Sequence, residues 1–271
     1  MNGQCFPLYY YEEQKIENRT LFDAAKTTDL VRRDGVSDFI LGQARKLYGK
    51  TVTKEDIFYY VYGILHSPDY RTRFASDLKK MLPRLPLADA VKDFWAFSKA
   101  GRKLADLHID YENAVFTEGV TVRGADAHVG ETTHVGETTH VGETLKVSPT
   151  LGTLGSDGVI EHHPVTYRVE KMRFPSKTDK STIHFNSRIT IENIPMEAYD
   201  YIVNGKSAIE WVMERYAVTT HKDSGIRNDP NDWAMEVGKP RYILDLVLSV
   251  ITVSLATVAI VKGLPMLKIG E

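Results

Sequence analysis

Apolar residues recur with a helical period between Thr53 and Pro86. Ile57, Tyr60, Val61, Ile64 and Leu65 fall on one face, which predicts an amphipathic α-helix. Thr53 supplies its N-cap and Asp56 the reciprocal capping-box carboxylate. Ser67-Pro68 restarts the chain, a capping hydroxyl followed by proline at the first helical position, where its missing N–H costs nothing. Tyr70, Phe74, Leu78 and Met81/Leu82 continue as a second helical stripe until Pro83 and Pro86 stop it. Upstream, Ser37 caps a predicted helix through Phe39, Ile40, Ala44 and Leu47. Downstream, Val91, Phe94, Trp95, Ser98, Leu104 and Ala105 predict a third amphipathic helix, bent near Gly101.

After residue 165 the period changes to two. Tyr167, Val169, Met172 and Phe174 alternate with one slip, the mark of a bulge. Ser176–Lys180 is a polar turn. Ile183, Phe185, Ser187, Ile189 and Ile191 then predict one continuous strand, whose other face carries Thr182, His184, Asn186, Arg188 and Thr190. Pro195–Tyr216 reads as two short helices split by Asn204-Gly205, a left-handed helix stop. Ile243–Val261 is nearly long enough to span a bilayer, but Asp245, Ser249, Thr252, Ser254 and Thr257 recur along it. A buried helix of a soluble protein, begun near Pro240 and stopped at Gly263-Leu264-Pro265, is the expectation, with no membrane partner.

The remaining stretches are less regular. Residues 6–16 are aromatic and extended, and Tyr9–Tyr11 are assigned to a core. Arg32-Arg33-Asp34-Gly35 reads as a turn. Residues 112–165 are poor in large apolar side chains and contain a tandem repeat, His128-Val-Gly-Glu-Thr-Thr, recurring from His134 and in part from His140. Three copies cannot bury a core of their own, so an exposed, enlarged loop is expected. Thr219–Trp233 reads as a turn-rich surface connection, with His221, Lys222, Arg227 and Asn228 as lesser candidates for DNA contact.

Composition narrows the chemistry. The formal net charge of −2 over 271 residues means that any nucleic-acid surface is a local patch. Two such patches exist. Residues 68–103 carry nine Lys/Arg against four Asp, and residues 165–190 carry six Lys/Arg against two acids. Side chains with donors and acceptors for base edges alternate there with cations for phosphates. The candidate DNA contacts are Lys171, Arg173, Lys177, Lys180, His184, Asn186 and Arg188, with Arg71, Arg73, Lys79 and Lys80 as backbone contacts; a solvated helix face and an ordinary half-exposed strand are the bland alternatives. The single cysteine, Cys5, excludes an internal disulfide and a cysteine-rich zinc module, and a reducing, cytoplasmic setting is the simplest reading.

Enzymatic signals are weak. Gly49-Lys50-Thr51 lacks the upstream glycine of a phosphate loop, because that position is Ala44. Glu13-Gln14-Lys15 has the spacing of some metal nucleases but no upstream aspartate. The repeat histidines with Glu131, Glu137 and Glu143, and separately Glu161-His162-His163, contain metal-ligating side chains but match no helix-based or closed tetrahedral pattern. No metal or cofactor is expected.

The segments FYYVYGILHSPDYRTRFASDLKKMLPRLP, DFWAFSKAGRKLADLH, YRVEKMRFP and IENIPMEAYDYIVNGKSAIEWVMERYAVTTHKDSGIRNDPNDW resemble the C-terminal specificity region of single-chain, ATP-dependent type ISP restriction–modification enzymes. The resemblance covers nearly all of the chain outside the repeat loop. It implies an α+β fold, with a helical N-terminal part packed on a mixed α/β target-recognition domain holding a small twisted sheet. The expected organisation is a helical connector over 1–111, a variable loop over 112–164 and a recognition part over 165–271. The implied function is sequence-specific double-stranded DNA binding without catalysis, beside the methyltransferase and helicase domains of a parent enzyme. Asn228-Asp229-Pro230-Asn231 lacks the second proline and the aromatic residue of an adenine methyltransferase motif. Two alternatives stay open: a scaffold that docks on a methyltransferase domain without binding DNA, and a metal-dependent nuclease built on the His/Glu clusters.

Overall fold

The computed structural model describes residues 5–13, 30–78, 85–124, 150–154, 160–164 and 167–268, the two short segments 150–154 and 160–164 by their backbone alone. The class is α+β. The chain divides into two units, Met1–Ile109 with Ala259–Glu271, and Asp110–Val258.

The first unit opens on a hairpin of β1 (Tyr9–Glu13) and β2 (Leu30–Asp34). The expected turn at Arg32–Asp34 is therefore strand, with Tyr11 opposite Arg32 and Tyr10 opposite Arg33. The core assignment of the tyrosines does not hold either: Tyr10 and Tyr11 are 43% and 62% exposed, because a two-stranded ribbon has no second layer to cover both faces. Tyr9 alone is held, its hydroxyl donating to Glu55 at 2.6 Å.

Four helices follow, then a fifth. They are α1 (Asp38–Tyr48), α2 (Lys54–His66), α3 (Pro68–Arg73), α4 (Ala75–Leu78) and α5 (Val91–Ile109). Local chemistry sets their starts. Ser37 accepts from the Ile40 N–H, Thr53 and Asp56 close a full capping box, and Ser67 accepts from the Tyr70 N–H ahead of Pro68. The second predicted helix is divided: Phe74 leaves helical geometry between α3 and α4, and Lys79, Lys80, Met81 and Leu82 lie outside the described residues.

The core of this unit is aromatic. Tyr48 stacks on Phe94 with centroids 4.1 Å apart, and Tyr60 stacks on the same ring at 4.9 Å. Both tyrosine hydroxyls reach backbone carbonyls, Tyr48 to Ala88 and Tyr60 to Pro86, each at 2.7 Å. A buried phenol must find such a partner. Burial pushes the Tyr48 phenol up to about 12 and the Tyr60 phenol further in the same direction. The helix α5 is continuous through Gly101. That glycine and Gly63 mark the crossing of α2 and α5. A Cβ on Gly101 would sit 1.8 Å from the Tyr59 carbonyl oxygen, and one on Gly63 2.2 Å from that of Phe97.

The second unit contains β3 (Thr121–Arg123), a hairpin of β4 (Thr150–Leu154) and β5 (Ile160–Pro164), then β6 (Ile183–His184) and β7 (Thr190–Glu192). A small antiparallel sheet runs in the order β3-β7-β6. The predicted strand Ile183–Ile191 is thus two strands joined by a tight turn. Ile183 pairs with Ile191 and His184 with Thr190, and the Phe185 N–H donates to Ile189 at 3.0 Å. Ile183, Phe185, Ile189 and Ile191 are fully buried, so the inward face is the expected one although the path is not.

Next come β8 (Ile202–Val203) and β9 (Lys206–Ser207), α6 (Ala208–Arg215), β10 (Thr219–Thr220), β11 (Arg227–Asn228), α7 (Pro230–Glu236) and α8 (Tyr242–Lys262). Asn204-Gly205 is not a helix stop. With φ of 49° and 87° it makes the two-residue turn between β8 and β9, as Asn-Gly does where both central residues need positive φ.

By length and composition α8 could cross a bilayer, yet 67% of its most apolar window is buried inside the protein. Ile243, Leu244, Val247 and Ile251 join the sheet residues, Ile209 and Met213 in one core. Its polar positions are used: Ser249 donates to the Glu112 carbonyl and Ser254 to that of Val250. Asp245 pairs with Arg241 one turn earlier at 3.1 Å.

Candidate nucleic-acid interface

The interface is built on two short segments of the second unit, 167–175 and 184–188. The first is extended, with Tyr167, Val169 and Met172 buried and Arg168, Glu170, Lys171 and Arg173 exposed, so the expected slip falls between Glu170 and Lys171. Asn231, only 3% exposed, pins this segment: its Oδ1 accepts from the Val169 N–H at 2.9 Å and its Nδ2 donates to the Val169 carbonyl at 2.8 Å. Arg173 and His184 exchange both backbone hydrogen bonds, which joins the two segments side by side.

Asn186 closes the turn of the second segment. Its Oδ1 accepts from the Arg188 and Ile189 N–H groups at 2.9 and 2.8 Å, and its Nδ2 donates to the Arg168 carbonyl at 3.0 Å. This is an Asx-type turn, the local competition that Asn side chains offer to strand pairing. Gly124 sits against it with φ of 80°, where a Cβ would lie 1.8 Å from the Arg188 carbonyl oxygen.

The result is an open groove of about 660 Å³ with Arg168, Lys171, Arg173, His184, Asn186 and Arg188, and one carboxylate, Glu170, around Phe174 and Pro175. Five of the predicted contacts, Lys171, Arg173, His184, Asn186 and Arg188, therefore meet at one site. Among the described residues no carboxylate pairs with Lys171, Arg173 or Arg188. Arg168, which the charge pattern contained but did not single out, is different. It is ion-paired with Asp229, and Arg227 reaches the same carboxylate at 3.1 Å. The Asp229 side chain is 3% exposed. Burial alone would raise its pKa, but hydrogen bonds from Asn231 and the two guanidinium groups outweigh that and hold the carboxyl below its usual value. Asp229 also caps α7 ahead of Pro230. The Asp-Pro-Asn run thus organises the groove wall, and its one visible signal in sequence was the cap followed by proline.

The other predicted contacts fall elsewhere. Lys177 lies on the exposed Ser176–Lys180 turn, and with Lys180 it lines a separate depression beside Tyr199. Lys180 is engaged: its ammonium meets Glu210 at 2.9 Å and lies 5.5 Å from the Tyr199 ring centre. Arg71 and Arg73 belong to α3 in the first unit, where Arg71 donates to the Leu65 carbonyl at 2.8 Å. Lys79 and Lys80 are outside the described residues, as are the histidines of the repeat. No group of three or more metal-ligating side chains is present among the described residues.

The second unit thus carries a small antiparallel sheet with a cationic groove beside it. The chain belongs to the type ISP C-terminal specificity domain family, whose model matches residues 1–246. A comparison with curated proteins finds no match. Solved structures similar to the chain include the following three. One is the ATP-dependent type ISP restriction–modification enzyme LlaBIII bound to DNA, at 34% identity and a TM-score of 0.70 over 97% of this chain. A second is a nuclease-deletion mutant of the type ISP enzyme LlaGI with a DNA substrate mimic, at 39% identity and a TM-score of 0.63 over 89% of the chain. The third is a DrdV–DNA complex, at 26% identity and a TM-score of 0.61 over 86% of the chain. The chain spans 14%, 17% and 20% of those proteins respectively.

Proposed function

We propose that the chain is the target-recognition part of a restriction–modification enzyme and binds duplex DNA in a sequence-dependent way, without chemistry of its own. The observation that carries this reading is the groove: three cations with no carboxylate partner among the described residues, next to His184 on β6. Lys171, Arg173 and Arg188 hold phosphates, and His184 faces base edges. The amide of Asn186 serves the turn, so it acts by presenting Arg188. Arg71, Arg73, Lys79 and Lys80 add backbone contacts from the helical part, and Lys177 and Lys180 extend the cationic margin. The membership of the family and the DNA in the similar structures support this reading.

Methylation and ATP-dependent cleavage are then the work of other domains in a larger cytoplasmic enzyme. Exposed Phe39 and Leu47 on α1, at 72% and 55%, favour a second, compatible role in docking to such a domain. The test is selection of bound duplexes from a random pool by the full chain at two salt concentrations. Recovery of a defined site with salt-dependent affinity is expected. Failure to enrich any sequence, with no salt-dependent retention of duplex, overturns the proposal.

A further inference from the structure

The hairpin of β10 and β11 rises from the rim of the groove. Two ties fix it there. The Val218 N–H donates to the Glu170 carbonyl at 2.8 Å, just before β10. Arg227, on β11, shares the buried Asp229 carboxylate with the groove residue Arg168. Within the hairpin, Thr219 and Thr220 pair with Asn228 and Arg227. The tip is also internally braced: the His221 N–H donates to Ile226 and the Gly225 N–H to His221, both at 2.9 Å, while Ser224 meets the His221 ring at 3.1 Å. A braced tip nonetheless leaves a large aliphatic side chain, Ile226, 68% exposed, with the ammonium of Lys222 on the same tip. Core packing gives no reason for that isoleucine. A two-stranded ribbon has the dimensions to enter the major groove, where apolar side chains distinguish the thymine methyl.

Resting on the DNA-binding reading above, we propose that this hairpin is a second specificity-determining element: Ile226 makes an apolar contact at one base edge, and Lys222 holds a neighbouring phosphate. The charge of the adjoining groove and the rigid attachment through Glu170 and Asp229 bring hairpin and groove onto the same duplex. Because its tip is braced before binding, little ordering entropy is lost when it docks.

The experiment is duplex selection with the full chain, wild type beside Ile226→Ala, Ile226→Val and Lys222→Ala, with thermal melts to confirm folding. Ile226→Ala is expected to relax the preference at one A·T pair and weaken the selected site by roughly tenfold while leaving non-selected duplex unchanged. Ile226→Val keeps the preference. Lys222→Ala weakens all sequences alike and lowers the salt slope by about one. A wild-type chain that selects a site, with Ile226→Ala selecting the same site at the same affinity, overturns the hairpin's role alone. A wild-type chain that selects nothing overturns the DNA reading, and this inference with it.

Discussion

Replacing Gly101 with alanine tests how the helical unit is assembled. The added Cβ would lie 1.8 Å from the Tyr59 carbonyl oxygen and 2.7 Å from the Gly63 nitrogen, where ordinary contact begins at 3.4 Å. Both obstacles are backbone, so neither can rotate away, and α2 and α5 must separate by more than an ångström. A gap of that size forfeits about half or more of each dispersion well across the interface. Tyr60, Ile64, Phe97 and Leu104, all essentially buried, line these two helices. Overpacking of this sort costs about 1–3 kcal/mol and more where backbone is the obstacle, while alanine's helix propensity returns about 1 kcal/mol. At the upper end of that range the expected net loss is about 2 kcal/mol, read as a Tm lower by roughly 4–8 °C. Gly42→Ala is the matched control, because on α1 its Cβ would meet nothing within 4 Å. It should stabilise by about 0.5–1 kcal/mol. Thermal or urea unfolding followed by circular dichroism makes the comparison. A Gly101→Ala chain that melts at or above wild type, in step with Gly42→Ala, refutes the close crossing.

Three further outcomes are expected. Alanine at Lys171, Arg173 or Arg188 should leave Tm unchanged and reduce the slope of log affinity against log salt by about one for each phosphate no longer neutralised; unchanged slopes in all three would place the interface elsewhere. Asn186→Ala should cost about 1–3 kcal/mol of stability, since the turn forfeits three hydrogen bonds, whereas Asn186→Asp keeps both acceptor contacts and should cost less; equal stability of the two variants contradicts the turn-closing role. His108 is held below its ordinary range, down to about 4, first by burial and then by the nearby His66, which burial also depresses. Each neutral imidazole is favoured by folding, so the stability they lend is complete above pH 6.5 and is lost as pH falls towards 4, by up to about 3 kcal/mol for His108. Chemical denaturation between those pH values checks this, and a His108→Gln chain with the same pH dependence as wild type argues against it.

Local rules were legible in the chain. Thr53 with Asp56, Ser67 with Pro68 and Ser37 each start a helix where their side chains reach back to free N–H groups, an interaction complete within four residues. The inward face of residues 183–191 was equally legible, but not their path. Ile183 and Ile191, like His184 and Thr190, are paired across the turn at an even separation, so alternation continues unbroken from one strand to the next. A straight strand and this hairpin therefore share one hydrophobic pattern. Asn204-Gly205 has the same ambiguity, since positive φ serves a helix end and a hairpin turn alike.

The inward faces of residues 57–65 and 183–191, the capped helix starts and the two cationic stretches follow from the residues alone. Which charges gather depends on the fold. Lys171, Arg173 and Arg188 share a groove because Asn186 and the Arg173–His184 backbone pair hold two segments together, while Lys180 faces Glu210 and Arg168 faces a buried Asp229. The physical reason is range. Capping and periodicity act between near neighbours, whereas pairing of charges depends on which remote backbone the buried faces bring alongside. Gly63 and Gly101 make the same point, because their lack of a side chain has meaning only where two helices cross.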